Sequence, residues 1–382
     1  MRRWAVLGSY ALLAACTQLL WLTFAAIDTR SAAAMHVNAG LVGDLAAIFP
    51  FVYIVLALPT GRWLDRRFAQ ALGAGAVLTA VGAVLRLVAP ESFAWQMAGQ
   101  VVISAGQPLV LNSINKVAAR YFAPEQRATA ISIGTAALFV GILAAVVMAG
   151  PVFDTGGLRL LLFVQATPAV LAAALVVVAV RTQPFYPDNP SAAVSLRWLL
   201  GDRFMWTLAG LVFIGMGTYN AVATWLQPIL ASFGEGEAAG NLVALLTVAG
   251  VFGAALLPTA AARADRRRLL LIAALVLSAV SFLAVAAVHN VVWLGVWLFG
   301  TGFVLLAALP VVLDWSDLHA GSERQGGAVG FLMMAGNLGG LILVLLVQAV
   351  IGNAYLALGA LALVTLLGLP VALRLPRRLA SV

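Results

Sequence analysis

Six side chains stand out because they are polar or aromatic yet lie inside long apolar runs: Gln18, Trp21, Gln107, Tyr219, Asn220 and Asn337. An amide or phenol surrounded by alanine, leucine and valine is costly unless it faces a cavity or a neighbouring helix. The set offers neutral amides and electron-rich rings and no carboxylate. Such groups hold a ligand through hydrogen bonds and ring faces, over which a desolvated ammonium gains about 2 kcal/mol or more. A neutral or amphipathic ligand satisfies the same groups. Bond-making chemistry has little support. His36, His289 and His319 lie between the apolar runs, Cys16 is the only cysteine, and no Ser/His/Asp set, acid pair or metal-ligand spacing is visible. No catalytic residue, metal ion or cofactor is expected.

The elements that must position these residues are set by composition. Of 382 residues, 63% are hydrophobic and 9% charged, against about a half and about a quarter in an ordinary soluble domain. A water-soluble globule could not cover its surface with so few polar side chains. The net charge of +8 does not point to nucleic acid, because the arginines lie in short clusters between apolar runs and not on one basic face. Arginines flanking a bilayer and facing anionic lipid explain it better.

A transmembrane helix needs roughly 20 mostly apolar residues. Twelve such stretches are read, at 5–27, 41–60, 69–89, 94–118, 127–149, 158–180, 204–231, 240–260, 269–288, 291–313, 326–349 and 354–374. The expected fold is an all-α membrane protein of two six-helix bundles, 1–181 and 204–382, joined by a linker at 182–203 that holds Pro184, Pro187 and Pro190. With the N-terminus in the cytoplasm, the inner segments hold 19 of the 22 lysines and arginines. The positive-inside rule therefore places both termini in the cytoplasm. Arg2-Arg3 and Leu13-Ala14-Ala15-Cys16 resemble a lipoprotein signal, but the apolar run continues to Ile27, so a plain first transmembrane helix is expected. Asp28, Asp44, Arg86, Lys116 and Asp314 all fall near span ends, within reach of the headgroups.

The halves repeat. Asp65-Arg66-Arg67 after span 2 returns 200 residues later as Asp265-Arg266-Arg267 after span 8, and Pro124-Glu125-Gln126 entering span 5 returns as Ser322-Glu323-Arg324 entering span 11. Six plus six spans, the long linker and Gly61-Arg62-Trp63-Leu64-Asp65-Arg66-Arg67 together resemble the major facilitator superfamily. The later glycine and first base of that family's loop pattern are replaced by Phe68 and Ala69. The glycine permits close helix approach, and the acid can cap a helix N-terminus and pair with arginine. Gly61, Asp65, Arg66, Asp265 and Arg266 are therefore expected to latch one conformation; the alternative is a solvated loop that only sets topology.

Thr17 to Trp21, Gly99 to Gln107 and Tyr219 to Gln227 are similar to the feline leukaemia virus subgroup C receptor-like branch, solute carrier family 49. That resemblance implies choline or ethanolamine transport, historically also haem, with a pocket of Trp21, Gln107, Tyr219 and Asn337. Glutamine would be expected at the last position. Each residue also has a packing role open to it: Asn220 and Asn337 bonding a neighbouring helix, Gln107 answering the carbonyl freed by Pro108, Trp21 and Tyr219 filling space. With no acid or base near mid-span, the expected function is alternating-access transport of a small amine cation, choline-like, driven by membrane potential. The alternatives are an exporter of drugs or amphipathic metabolites, haem among them, and a proton-coupled carrier of another metabolite. The expected setting is the plasma membrane, a bacterial inner membrane from the alanine and arginine usage. The expected partners are the solute and anionic lipid on the cytoplasmic side, with the chain acting as a monomer and no nucleic acid bound.

Overall fold

A computed structural model describes residues 2–186, 196–321 and 323–376. Residues 187–195 of the linker, with Pro187 and Pro190, lie outside the described residues, as do Ser322 of the repeat and Arg377 and Arg378.

Every regular element among the described residues is helical. The order is α1 (Arg2–Trp21), α2 (Asp28–Ala34), α3 (Ala39–Leu85), α4 (Phe93–Leu111), α5 (Ile114–Tyr121) and α6 (Pro124–Ala179), followed by α7 (Arg197–Gly201), α8 (Arg203–Ala231), α9 (Ala239–Arg263), α10 (Arg267–Ala287), α11 (Val291–Ala320), α12 (Gln325–Val350) and α13 (Ala354–Leu373). Among the described residues, nine helices are long and apolar enough to cross a membrane. Two of them, α3 with 47 residues and α6 with 56, would each rise about 70–85 Å at about 1.5 Å per residue, more than twice a bilayer's apolar core of about 30 Å. Both are broken. In α3 the break is Arg67, at φ −143° and ψ 62°. In α6 it is Gly156 and Gly157, the latter at φ 64° and ψ −162°, a conformation open to glycine and closed to most side chains.

The chain packs as two compact units. The first comprises Met1–Ala130, Ala137–Leu196 and Ala320–Gly330; the second comprises Ile131–Ala136, Arg197–His319 and Phe331–Val382. The first turns of α12 thus belong to the first unit.

Three expectations are corrected here. The first span does not run to Ile27: α1 ends at Trp21, and turns lead into the unforeseen α2. Side chains take up the carbonyls where the ladder stops. Arg86 Nη1 donates to Leu20 O at 3.0 Å, and Gln107 Nε2 donates to Thr17 O at 2.7 Å. The fourth span also ends early, α4 giving way to α5 at Asn112 and Ser113. Asn112 turns its amide across to α3, donating to Ala57 O and Thr60 Oγ1 and accepting from the Tyr53 hydroxyl. Finally, Gly61 through Arg66 do not form a loop, because α3 stays helical up to the break at Arg67.

Candidate functional site

In the first unit, α1 and α4 meet along a polar seam. Gln100, Ser104 and Gln107 recur at helical spacing on one face of α4, and all three are buried. Gln107 reaches Thr17 O, while Gln100 Nε2 approaches Trp21 O at 3.4 Å. A carbonyl only accepts, so these bonds fix each amide with its NH2 toward α1. Gln100 Oε1, Ser104 Oγ and Gln107 Oε1 are then buried acceptors with no hydrogen-bond partner among the described residues. Gln107 therefore answers a carbonyl of α1 and not the one freed by Pro108 in its own helix.

Trp21 stands at the end of α1 and not past the middle of a span. Its indole Nε1 donates to Ala46 O of α3 at 2.8 Å, and its ring lies 4.5 Å from that of Phe49. Gln18 is buried beside it, with Nε2 3.4 Å from Thr17 Oγ1.

In the second unit, the half-buried Tyr219 on α8 meets Thr247 Oγ1 of α9 through its hydroxyl at 3.3 Å. Asn220, next along α8, is packed over Gly340 of α12, where a Cβ would collide with its amide. Asn337 does something plainer: its Nδ2 donates to Met333 O one turn earlier in α12, at 2.9 Å.

The acidic motif has the most complete geometry. Asp65 sits in the last turn of α3 before the break, where a helix's negative end disfavours a carboxylate. Three donors offset this within the first unit. Gly326 N and Gly327 N, in the opening turn of α12, donate to Oδ1 and Oδ2 at 2.7 and 2.8 Å. These are amides that a helix N-terminus leaves without internal partners. Lys116 Nζ of α5 completes the set at 3.4 Å from Oδ1, with both side chains shut off from solvent. Gly61 makes the approach possible: a Cβ there would fall 2.5 Å from Gly326 O, and one on Gly326 would fall 2.6 Å from Gly61 O.

Arg66, expected to pair with this acid, is exposed, and the cation against Asp65 is Lys116. The second copy is built differently. Asp265 takes the left-handed conformation at φ 51°, and the amides of Asp265 and Arg266 close back on Ala262 O and Ala261 O to terminate α9. Its carboxylate lies 3.7 Å from Arg267 Nη1, and Arg266 is exposed. The strong pair of this region is Arg267 Nε with Asp314 Oδ2 of α11, at 2.6 Å and almost fully buried.

Three charges expected to reach headgroups are thus buried instead: Arg86, Lys116 and Asp314. Arg86 is wrapped by Leu20 O, Gln96 Oε1 at 3.2 Å and the Phe24 ring at 4.9 Å. Sequence reasoning put these three at headgroup level and left Gln100 and Ser104 unassigned. The available signal was their spacing with Gln107 on one face of α4.

Residues 5–344 match the family model described as the Major Facilitator Superfamily. Solute carrier family 49 member A3 of Danio rerio is 29% identical over 373 residues, covering 91% of this chain and 78% of that protein. The human choline/ethanolamine transporter FLVCR2 is 23% identical over 384 residues, covering 92% and 72%. A bacterial homologue of the iron transporter ferroportin, solved outward-facing, superposes with a TM-score of 0.81 at 15% identity, covering 98% and 99%. The human organic anion transporter MFSD10 gives 0.78 at 13%, covering 97% and 99%. At such identity the solved structures speak for the fold alone. With the family model spanning most of its length, this chain belongs to the Major Facilitator Superfamily as a multi-pass membrane transporter related to the solute carrier family 49 branch.

Proposed function

We propose that this transporter carries a small amine cation of the choline and ethanolamine class by alternating access, driven by the membrane potential. The observation that carries the reading is the seam on α4. Gln100 Oε1, Ser104 Oγ and Gln107 Oε1 are buried acceptors without a partner among the described residues, and the NH2 groups of the two amides reach the Trp21 and Thr17 carbonyls. A buried acceptor left unmet costs about 1–3 kcal/mol, and a ligand that donates N–H or O–H groups recovers that cost. An ethanolammonium or a choline hydroxyl does so while its charge lies against an aromatic face. Similarity to FLVCR2, a choline/ethanolamine transporter, supports the same class. An inside-negative potential favours entry of one positive charge by about 2.3 kcal/mol per 100 mV, so accumulation needs no proton.

In this reading, dividing α3 and α6 at their breaks and adding α4 to the other long helices gives twelve crossings, with both termini cytoplasmic. Gln18, Trp21 and Gln107 in the first unit, and Tyr219, Asn220 and Asn337 in the second, are the side chains assigned to solute binding. The Asp65 cluster latches the cytoplasmic side and is released when the site opens inward.

Equilibrium binding of labelled choline and ethanolamine to purified protein tests the site. Saturable binding that Gln107→Leu and Trp21→Ala weaken about tenfold or more supports it, the size expected for one lost buried contact. Binding that is absent, or unchanged in both variants, contradicts it.

A further inference from the structure

The second unit holds a cavity of about 740 Å³ between the start of α8 and the end of α13. Its mouth carries two exposed arginines, Arg203 on the first turn of α8 and Arg374 at the C-cap of α13. Its walls are apolar or small: Trp206, Gly210 and Val371, with Thr207 between. Arg203, Trp206, Thr207 and Gly210 follow one another along one face of α8, so the cavity is a groove running from charge to hydrocarbon.

We propose that this groove binds one anionic glycerophospholipid, with its phosphate between Arg203 and Arg374 and an acyl chain laid past Trp206 over Gly210. Four observations select that occupant. Neither guanidinium has an ion-pair partner among the described residues. The nearest acid, Asp202, is already engaged, accepting from Met205 N at 3.0 Å and meeting His319 Nε2 at 2.7 Å. At the end of α13 the Leu373 carbonyl is already taken by Arg268, which donates to it at 3.0 Å, so it does not compete for the Arg374 guanidinium. The apolar walls would stay wet around a free phosphate, whereas an acyl chain covers them; Trp206 is 51% exposed and the adjoining Leu200 76%. Two arginines without a carboxylate favour a net negative headgroup over a zwitterionic one, as basic pockets between cytoplasmic helix ends do. The inference rests on the membrane reading of the fold and is independent of the transported solute.

Native mass spectrometry of the purified chain, titrated with phosphatidylglycerol or with phosphatidylcholine of the same acyl composition, tests this directly. Phosphatidylglycerol should be retained at lower concentration, by about 30-fold if each arginine contributes its usual share. Arg203→Gln with Arg374→Gln should erase that preference. Gly210→Leu keeps both arginines and fills the groove. A Cβ at Gly210 would lie an ordinary 3.5 Å from Val371 Cγ1, so this variant should fold and lose retention of phosphatidylglycerol. Equal retention of the two lipids, survival of the preference in the double variant, or displacement of lipid by millimolar inorganic phosphate would each overturn the proposal. If the double variant does not fold, undiminished retention by Gly210→Leu overturns it alone. Choline binding does not enter the readout, so the two proposals fail separately.

Discussion

Lys116 and Asp65 face each other across 3.4 Å with neither side chain open to solvent. A buried ion pair contributes little net stability, but removing one partner strands the other charge and costs about 3–5 kcal/mol. Lys116→Met should therefore lower the melting temperature markedly. Lys116→Met combined with Asp65→Asn should recover much of the loss. Thermal unfolding in one detergent checks both; a double variant no better than the single would contradict the pairing.

Asp65→Asn alone removes the charge from a site where two amides of α12 converge. Under the proposed latch role, Asp65 should govern how fast its side of the transporter opens and not how well the solute is held. The expected result is a change in turnover several times larger than the change in equilibrium affinity. Transport kinetics and binding measured on the same preparation separate the two.

Gly61 and Gly326 permit the backbone approach that brings the amides to Asp65. Gly61→Ala puts a methyl 2.5 Å from Gly326 O, and backbone cannot yield as a flexible side chain does. Overpacking of this kind costs about 1–3 kcal/mol. A loss of stability and of flux is expected, whereas Gly43→Ala, where a Cβ meets nothing within 4 Å, should leave both unchanged.

Asp202 gives the pH prediction. Partial burial pushes its carboxyl upward, but the Met205 amide and His319 outweigh this and hold it below the ordinary value of 3.8. A depressed carboxyl contributes stability above its unfolded pKa and loses it as pH falls through the folded one. The wild-type melting temperature should therefore decline on acidification below about pH 4, and Asp202→Asn should flatten that part of the profile. Identical profiles would contradict the role.

The helical fold and the polar residues within apolar runs were legible because hydropathy and spacing are local properties of the chain. The acidic motif was legible for the same reason, down to Asp65 capping a helix N-terminus. What could not be read depends on partners distant in sequence. Helix α1 ends at Trp21, and the carbonyls of Thr17 and Leu20 near that end are bonded by Gln107 and Arg86, which are distant in sequence. Lys116 replaces Arg66 as the counter-ion because α5 turns away from α4 at Asn112. Arg86 and Asp314 sit near the ends of apolar runs, where a long side chain ordinarily reaches water, yet Gln96 and Arg267 bury them. The repeat also misled in detail, since Asp265 repeats the sequence of Asp65 but serves to end α9.

Uptake of labelled choline and ethanolamine into proteoliposomes tests the central claim most directly, with an inside-negative potential at equal pH compared against a pH gradient at zero potential. Uptake should follow the potential, ignore the pH gradient and disappear in Trp21→Ala and Tyr219→Ala. Uptake driven by the pH gradient alone, or no uptake of either amine by folded protein, would contradict it.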